Sequence, residues 1–124
     1  MSFSFWVEST NLLIADSAQV VWRGQPDGMP VRSVVALPET ADAVVLLEPD
    51  SAPRNAYGQR TGYPNLVRVT AAGRVVWRAA ALEDKDAWVA VAWRAGGLYG
   101  NTWSGYIIEL DPHTGYELSR EFGK

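Results

Sequence analysis

The sequence predicts an all-β fold: an antiparallel up-and-down meander of about eleven strands in one domain over 1–124. Two observations carry this. Short runs rich in Val, Ile, Trp and Tyr are cut at regular intervals by turn residues, and such residues suit a pleated, half-buried surface. No segment shows the three-to-four-residue apolar spacing of a stable helix. The runs lie at about 3–8, 11–15, 19–23, 31–37, 42–48, 65–69, 74–79, 87–94, 97–103, 105–110 and 115–122.

Three of the hairpins so defined look like copies of one another. They run from Asn11 to Arg23, from Asn65 to Arg78 and from Tyr106 to Ser119. The first two share Val20-Val21-Trp22-Arg23 and Val75-Val76-Trp77-Arg78. The third carries Asp111-Pro112-His113-Thr114-Gly115 between its strands. This is turn chemistry, because Asp opens the turn, Pro presets φ and Gly supplies a positive φ.

The stretch from Trp93 to Phe122 resembles one blade of a quinoprotein-type β-propeller. Thr102-Trp103-Ser104-Gly105-Tyr106-Ile107 and Leu110-Asp111-Pro112-His113-Thr114-Gly115-Tyr116-Glu117-Leu118 carry the likeness. Such blades place a Trp four residues after the final Gly. Trp77 after Gly73 fits, whereas Ser119 occupies that place after Gly115. The resemblance implies two four-stranded units over 31–122 and a partial third over 3–23. Propellers typically have about four to eight blades. Either the sheet closes as a barrel or a curled sheet, or copies of the chain associate to complete a ring. The resemblance concerns strands and turns, and no cofactor residue matches, so no cofactor is expected.

Composition narrows the function classes. Hydrophobic residues make up 48% and charged residues 20% of 124, a globular balance. Cysteine is absent, which removes disulfides and cysteine metal sites. The net charge is −3 and no Lys/Arg cluster appears, so nucleic acid is not an expected partner. The first residues, Met1 to Glu8, show no signal-peptide pattern, and no apolar run has the length of a membrane helix. A cytoplasmic protein is the default expectation.

Catalytic chemistry is not apparent. His113 is the only histidine and sits in a tight turn. Gly96-Gly97 and Gly100 precede no helix, so they do not read as a phosphate loop. The carboxylate pairs Asp84 with Asp86 and Glu48 with Asp50 read as loop solvation.

Binding is expected at one end of the meander, because successive connections alternate ends. The turns at 16–18, 38–41, 70–73, 95–97 and 111–115 gather at one end and are short. Those at 8–11, 24–30, 49–64, 80–86 and 103–105 gather at the other, and three are long. Long loops on a rigid scaffold tend to carry function. The binding candidates are therefore Arg54, Asn55, Tyr57, Gln59, Arg60 and Tyr63 in the 49–64 loop, Asp84 and Asp86 in the acidic connector, and Trp103 beside the 103–105 turn. Of the six tryptophans, Trp6, Trp22, Trp77, Trp88 and Trp93 are expected to be core. Trp88 and Trp93 are five residues apart, so an unbroken strand sets them on opposite faces and leaves at least one exposed or at an interface.

The leading expectation is a non-catalytic protein-binding module of the inhibitor or immunity type that neutralises a cognate toxin. That step is an analogy from size, acidity and lack of cysteine. A second reading is a lectin-like module that assembles into a ring, with Asn55, Gln59, Asp84 and Asp86 bonding sugar hydroxyls and Trp or Tyr stacking on sugar faces. A small hydrolase using loop carboxylates is the third.

Overall fold

A computed structural model describes residues 2–51, 56–57, 63–80 and 86–123. It contains eleven strands: β1 (Phe3–Glu8), β2 (Asn11–Asp16), β3 (Gln19–Gly24), β4 (Val31–Ala36), β5 (Ala43–Leu47), β6 (Leu66–Val69), β7 (Val75–Ala79), β8 (Trp88–Arg94), β9 (Gly97–Thr102), β10 (Tyr106–Leu110) and β11 (Glu117–Phe122). Each predicted run holds one of them. Two short 3₁₀ turns, Pro26–Gly28 and Pro49–Ser51, complete the regular structure. Among the described residues no helix is long and apolar enough to cross a membrane.

The antiparallel meander is divided between sheets at the places that the blade-like units imply. The strands form three antiparallel sheets ordered β1-β2-β3, β4-β5-β6-β7 and β8-β9-β10-β11, here called sheets 1, 2 and 3. Two apolar layers separate them. Leu12 and Ile14 of sheet 1 pack against Val45, Leu47, Val67 and Val69 of sheet 2. Val44, Leu46, Leu66 and Trp77 of sheet 2 pack against Trp88, Leu98, Ile108 and Leu110 of sheet 3. Sheet 2 is therefore covered on both faces. β5 shows the consequence: all five of its residues are buried, odd positions toward sheet 1 and even positions toward sheet 3. A two-residue side-chain period on a doubly covered strand requires such an unbroken apolar run.

The three look-alike hairpins have the same backbone defect. A bulge interrupts pairing between Ile14 and Ala15, between Arg68 and Val69, and between Glu109 and Leu110. The extra residues are Val21, Val76 and Leu118, which occupy equivalent places in the copies, and all three are exposed. A bulge residue has no cross-strand partner and bends its strand outward.

A further bulge, between Trp88 and Ala90, overturns the expectation that Trp88 and Trp93 lie on opposite faces. The extra residue shifts the alternation by one. Trp88 is buried in the layer between sheets 2 and 3, and Trp93 packs against the same layer.

Tryptophans also lock each sheet to the next. Trp22 of β3 lies over the turn of sheet 2, where a Cβ on Gly73 would fall 2.1 Å from Cε2 of its indole. Trp77 of β7 lies over the turn of sheet 3, where a Cβ on Gly115 would fall 2.6 Å from its Cε3. Both glycines have φ near +77°, at +76° and +77°, a region that side chains disfavour. The indole N–H of Trp77 donates to the Pro112 carbonyl at 2.8 Å, and Arg68, paired with Asp42, donates to the same oxygen at 2.7 Å. The device is not repeated in full: sheet 1 has Ala18 where the other two have glycine, and sheet 3 has Ser119 where the other two have tryptophan.

Candidate functional site

Backbone hydrogen bonds join neighbouring connections of the expected binding end in two groups. Val31 N donates to Thr10 O at 2.7 Å, Glu48 N to Pro30 O at 2.8 Å, and Trp103 N to Ala87 O at 2.9 Å. These bonds place Thr10 beside the start of β4, Pro30 beside the end of β5, and the turn at Trp103 beside the start of β8.

The best-defined feature there is the turn between β9 and β10. Asp86 is 2% exposed, and its carboxylate organises the turn. Oδ1 accepts from Ala87 N at 2.9 Å and Ser104 N at 3.2 Å, and Oδ2 accepts from Ser104 Oγ at 2.6 Å. Because the Ser104 hydroxyl proton goes to Asp86, the 3.0 Å contact between Thr102 Oγ1 and Ser104 Oγ has Thr102 as donor. Thr102 Oγ1 in turn accepts from Tyr106 N at 3.1 Å. The donors thus run in one direction and end on a carboxylate, an arrangement in which each bond polarises the next. The result is a fastened turn with Trp103 at its tip, 69% exposed.

Asn65 was not singled out from sequence. It is fully buried, and its amide bridges sheets 2 and 3. Nδ2 donates to Leu47 O at 3.0 Å and Trp88 O at 2.8 Å, and Oδ1 accepts from Trp88 N at 2.8 Å. An Asn opening an otherwise apolar strand was the available signal.

The sequence candidates separate. Tyr57 is 88% exposed and Trp103 69% exposed. Asp86 is internal and acts through the turn it holds, accepting three hydrogen bonds from Ala87 and Ser104. Tyr63 is also internal, 5% exposed, in the layer between sheets 1 and 2. Apolar surroundings there outweigh its polar hydroxyl, an environment that loop membership did not foretell. Arg54, Asn55, Gln59, Arg60 and Asp84 lie outside the described residues. His113 is an exposed turn residue, its backbone N–H bonded to Asp111 Oδ1 at 2.8 Å. Among the described residues no three His, Asp or Glu side chains converge as metal ligands would.

The Tyr63 hydroxyl has no hydrogen-bond partner among the described residues. Burial, followed by the charges of Asp27 and Glu48, pushes its pKa up to about 12. An unsatisfied buried hydroxyl costs about 1–3 kcal/mol, so Tyr63→Phe should leave stability unchanged or raise it in urea unfolding. The pH dependence has a definite sign. The folded state holds the proton more tightly than the unfolded state, so the stability tied to neutral Tyr63 is present below pH 10 and is lost as pH rises through about 12. Unfolding curves over that window should flatten with pH in Tyr63→Phe. An equal fall in both proteins would refute the assignment.

The family described as a domain of unknown function, DUF7957, matches residues 8–122. No curated protein matches the chain.

Proposed function

The chain belongs to the DUF7957 family, and from that premise and its geometry we propose that it is a non-catalytic protein-binding module that grips a partner at its long-loop end. The observation that carries this is Trp103, held 69% exposed on a turn fastened by a buried carboxylate. A large aromatic fixed before contact loses little freedom on binding, and such residues dominate interface energetics. Tyr57, on another connection expected at that end, is 88% exposed.

The partner class is a cognate protein, with neutralisation of a toxin as the specific form. A small acidic chain of 124 residues without cysteine suits that role. The propeller likeness is kept in a reduced sense, as an open array of blade-like sheets. β1 lies beside β4, and β4 beside β8, so the first strands of successive sheets are neighbours. Ala18 and Ser119 interrupt the tryptophan device at the two ends, which favours an open array over a ring completed by other copies.

Affinity capture from the source cell with wild-type protein, then with Trp103→Ala, tests the reading. The partner identified should bind the variant about tenfold or more weakly, a loss of roughly 1.4 kcal/mol or more, with the melting temperature unchanged. Undiminished binding by Trp103→Ala would remove the proposal. Binding of glycans in place of a protein, with tryptophan fluorescence responding, would transfer the site to carbohydrate recognition.

A further inference from the structure

β11 is the last strand of sheet 3, as β3 and β7 are of sheets 1 and 2, yet it is held differently. Each of the other two lays a tryptophan, Trp22 or Trp77, over the turn of the next sheet, and β11 has Ser119 in that place. All six of its residues are exposed. A cleft of about 420 Å³ is lined by Arg78 of β7 and by Glu117 and Arg120 of β11, so the two strands do not close on one another. β11 pairs along its length with β10, and its ring contacts converge on one residue of that strand. The Phe122 ring meets Tyr106 edge to face, with centroids 5.4 Å apart, and the Arg120 guanidinium lies 5.5 Å from the centre of the same Tyr106 ring.

Tyr106 is joined to the turn that carries Trp103. Its N–H donates to Thr102 Oγ1 at 3.1 Å, within the network that ends on Asp86. Just past β11, Gly123 N donates to Gly105 O at 2.8 Å. The end of β11 therefore rests on the two residues that follow Trp103-Ser104.

We propose that β11 is a releasable strap: it opens before the rest of the fold, and its docking keeps the Trp103 turn fastened. Local opening costs least where little apolar surface is buried, and β11 lacks the tryptophan anchor of its two counterparts. The coupling passes through touching groups, from Phe122 and Gly123 to Tyr106 and Gly105, and from the Tyr106 N–H to Thr102. Its regulatory meaning rests on the role proposed for Trp103. A partner that grips the fastened turn favours the docked strap, and the docked strap favours the partner by the same factor.

The test is amide hydrogen exchange of the ¹⁵N-labelled full chain, followed by NMR with no partner added. Amides bonded between β10 and β11 should exchange at least about tenfold faster than those bonded between β6 and β7. Phe122→Ala removes one aromatic contact and should speed exchange of Gly123, Tyr106 and Ser104 by about threefold to tenfold, with the β6–β7 amides unchanged. Equal protection of the two ladders would overturn the proposal, because β11 would then be held as firmly as its counterpart. So would faster exchange of Gly123 in Phe122→Ala with Ser104 and Tyr106 as in wild type, since the strand would open without reaching the turn. Faster exchange of the β6–β7 amides in the same variant would also overturn it, by showing that Phe122 supports the whole fold. None of these outcomes involves a partner, so the long-loop reading stands or falls separately, on Trp103→Ala.

Discussion

Gly73→Ala is expected to lower stability by about 2–5 kcal/mol, measured by urea unfolding against wild type. Two costs combine. A side chain at φ +76° is disfavoured by about 1–2 kcal/mol. The new Cβ would also fall 2.1 Å from the Trp22 indole, and displacing a packed ring costs about 1–3 kcal/mol. The clash meets a rigid ring rather than the end of a flexible chain. Trp22→Ala in the Gly73→Ala background should therefore cost less than Trp22→Ala alone, because the two positions share one space. Ala18 supplies the control. It has φ 78° in the equivalent turn of sheet 1, where no preceding sheet inserts a tryptophan, and Ala18→Gly should change stability by less than about 1 kcal/mol in either direction. A Gly73→Ala protein as stable as wild type would show that Trp22 does not lock sheet 1 to sheet 2.

Asn65→Ala should be comparably damaging, at about 3–5 kcal/mol. The substitution removes three hydrogen bonds at once, and the groups left behind are buried main-chain atoms of Leu47 and Trp88. Water does not reach them to compensate. Asn65→Asp is no rescue, because it keeps the acceptor for Trp88 N–H but loses both donations and places a charge at a fully buried position. Hydrogen exchange supplies the local readout: protection of the Trp88 amide should fall in the variant. A cost under about 1 kcal/mol, with that amide still protected, would mean that the clamp does not join the sheets.

Both results concern joints between sheets, and the joints divide what was legible from what was not. Strand positions were legible because they are local: β-branched and aromatic runs end where turn chemistry begins, as at Asp111 to Gly115. The likeness of the three hairpins was legible too, and it extends to a shared bulge that no residue type announces. The exposure of Trp103 followed from its place beside Ser104-Gly105 at a turn. The fates of Tyr63 and Asp86 did not follow in this way. Both belong to connections that read as surface, yet each meets partners distant in sequence: the apolar layer between sheets 1 and 2 for Tyr63, and Ser104 for Asp86.

The sequence by itself determined the β class and the strand positions, because each depends on side-chain type and order along the chain. Only the tertiary structure decided which faces of the three sheets meet, that one added residue at β8 turns Trp88 and Trp93 to the same layer, and that Asn65 bridges two sheets. These depend on which surfaces meet, and a surface buried by a distant segment leaves no mark in local periodicity.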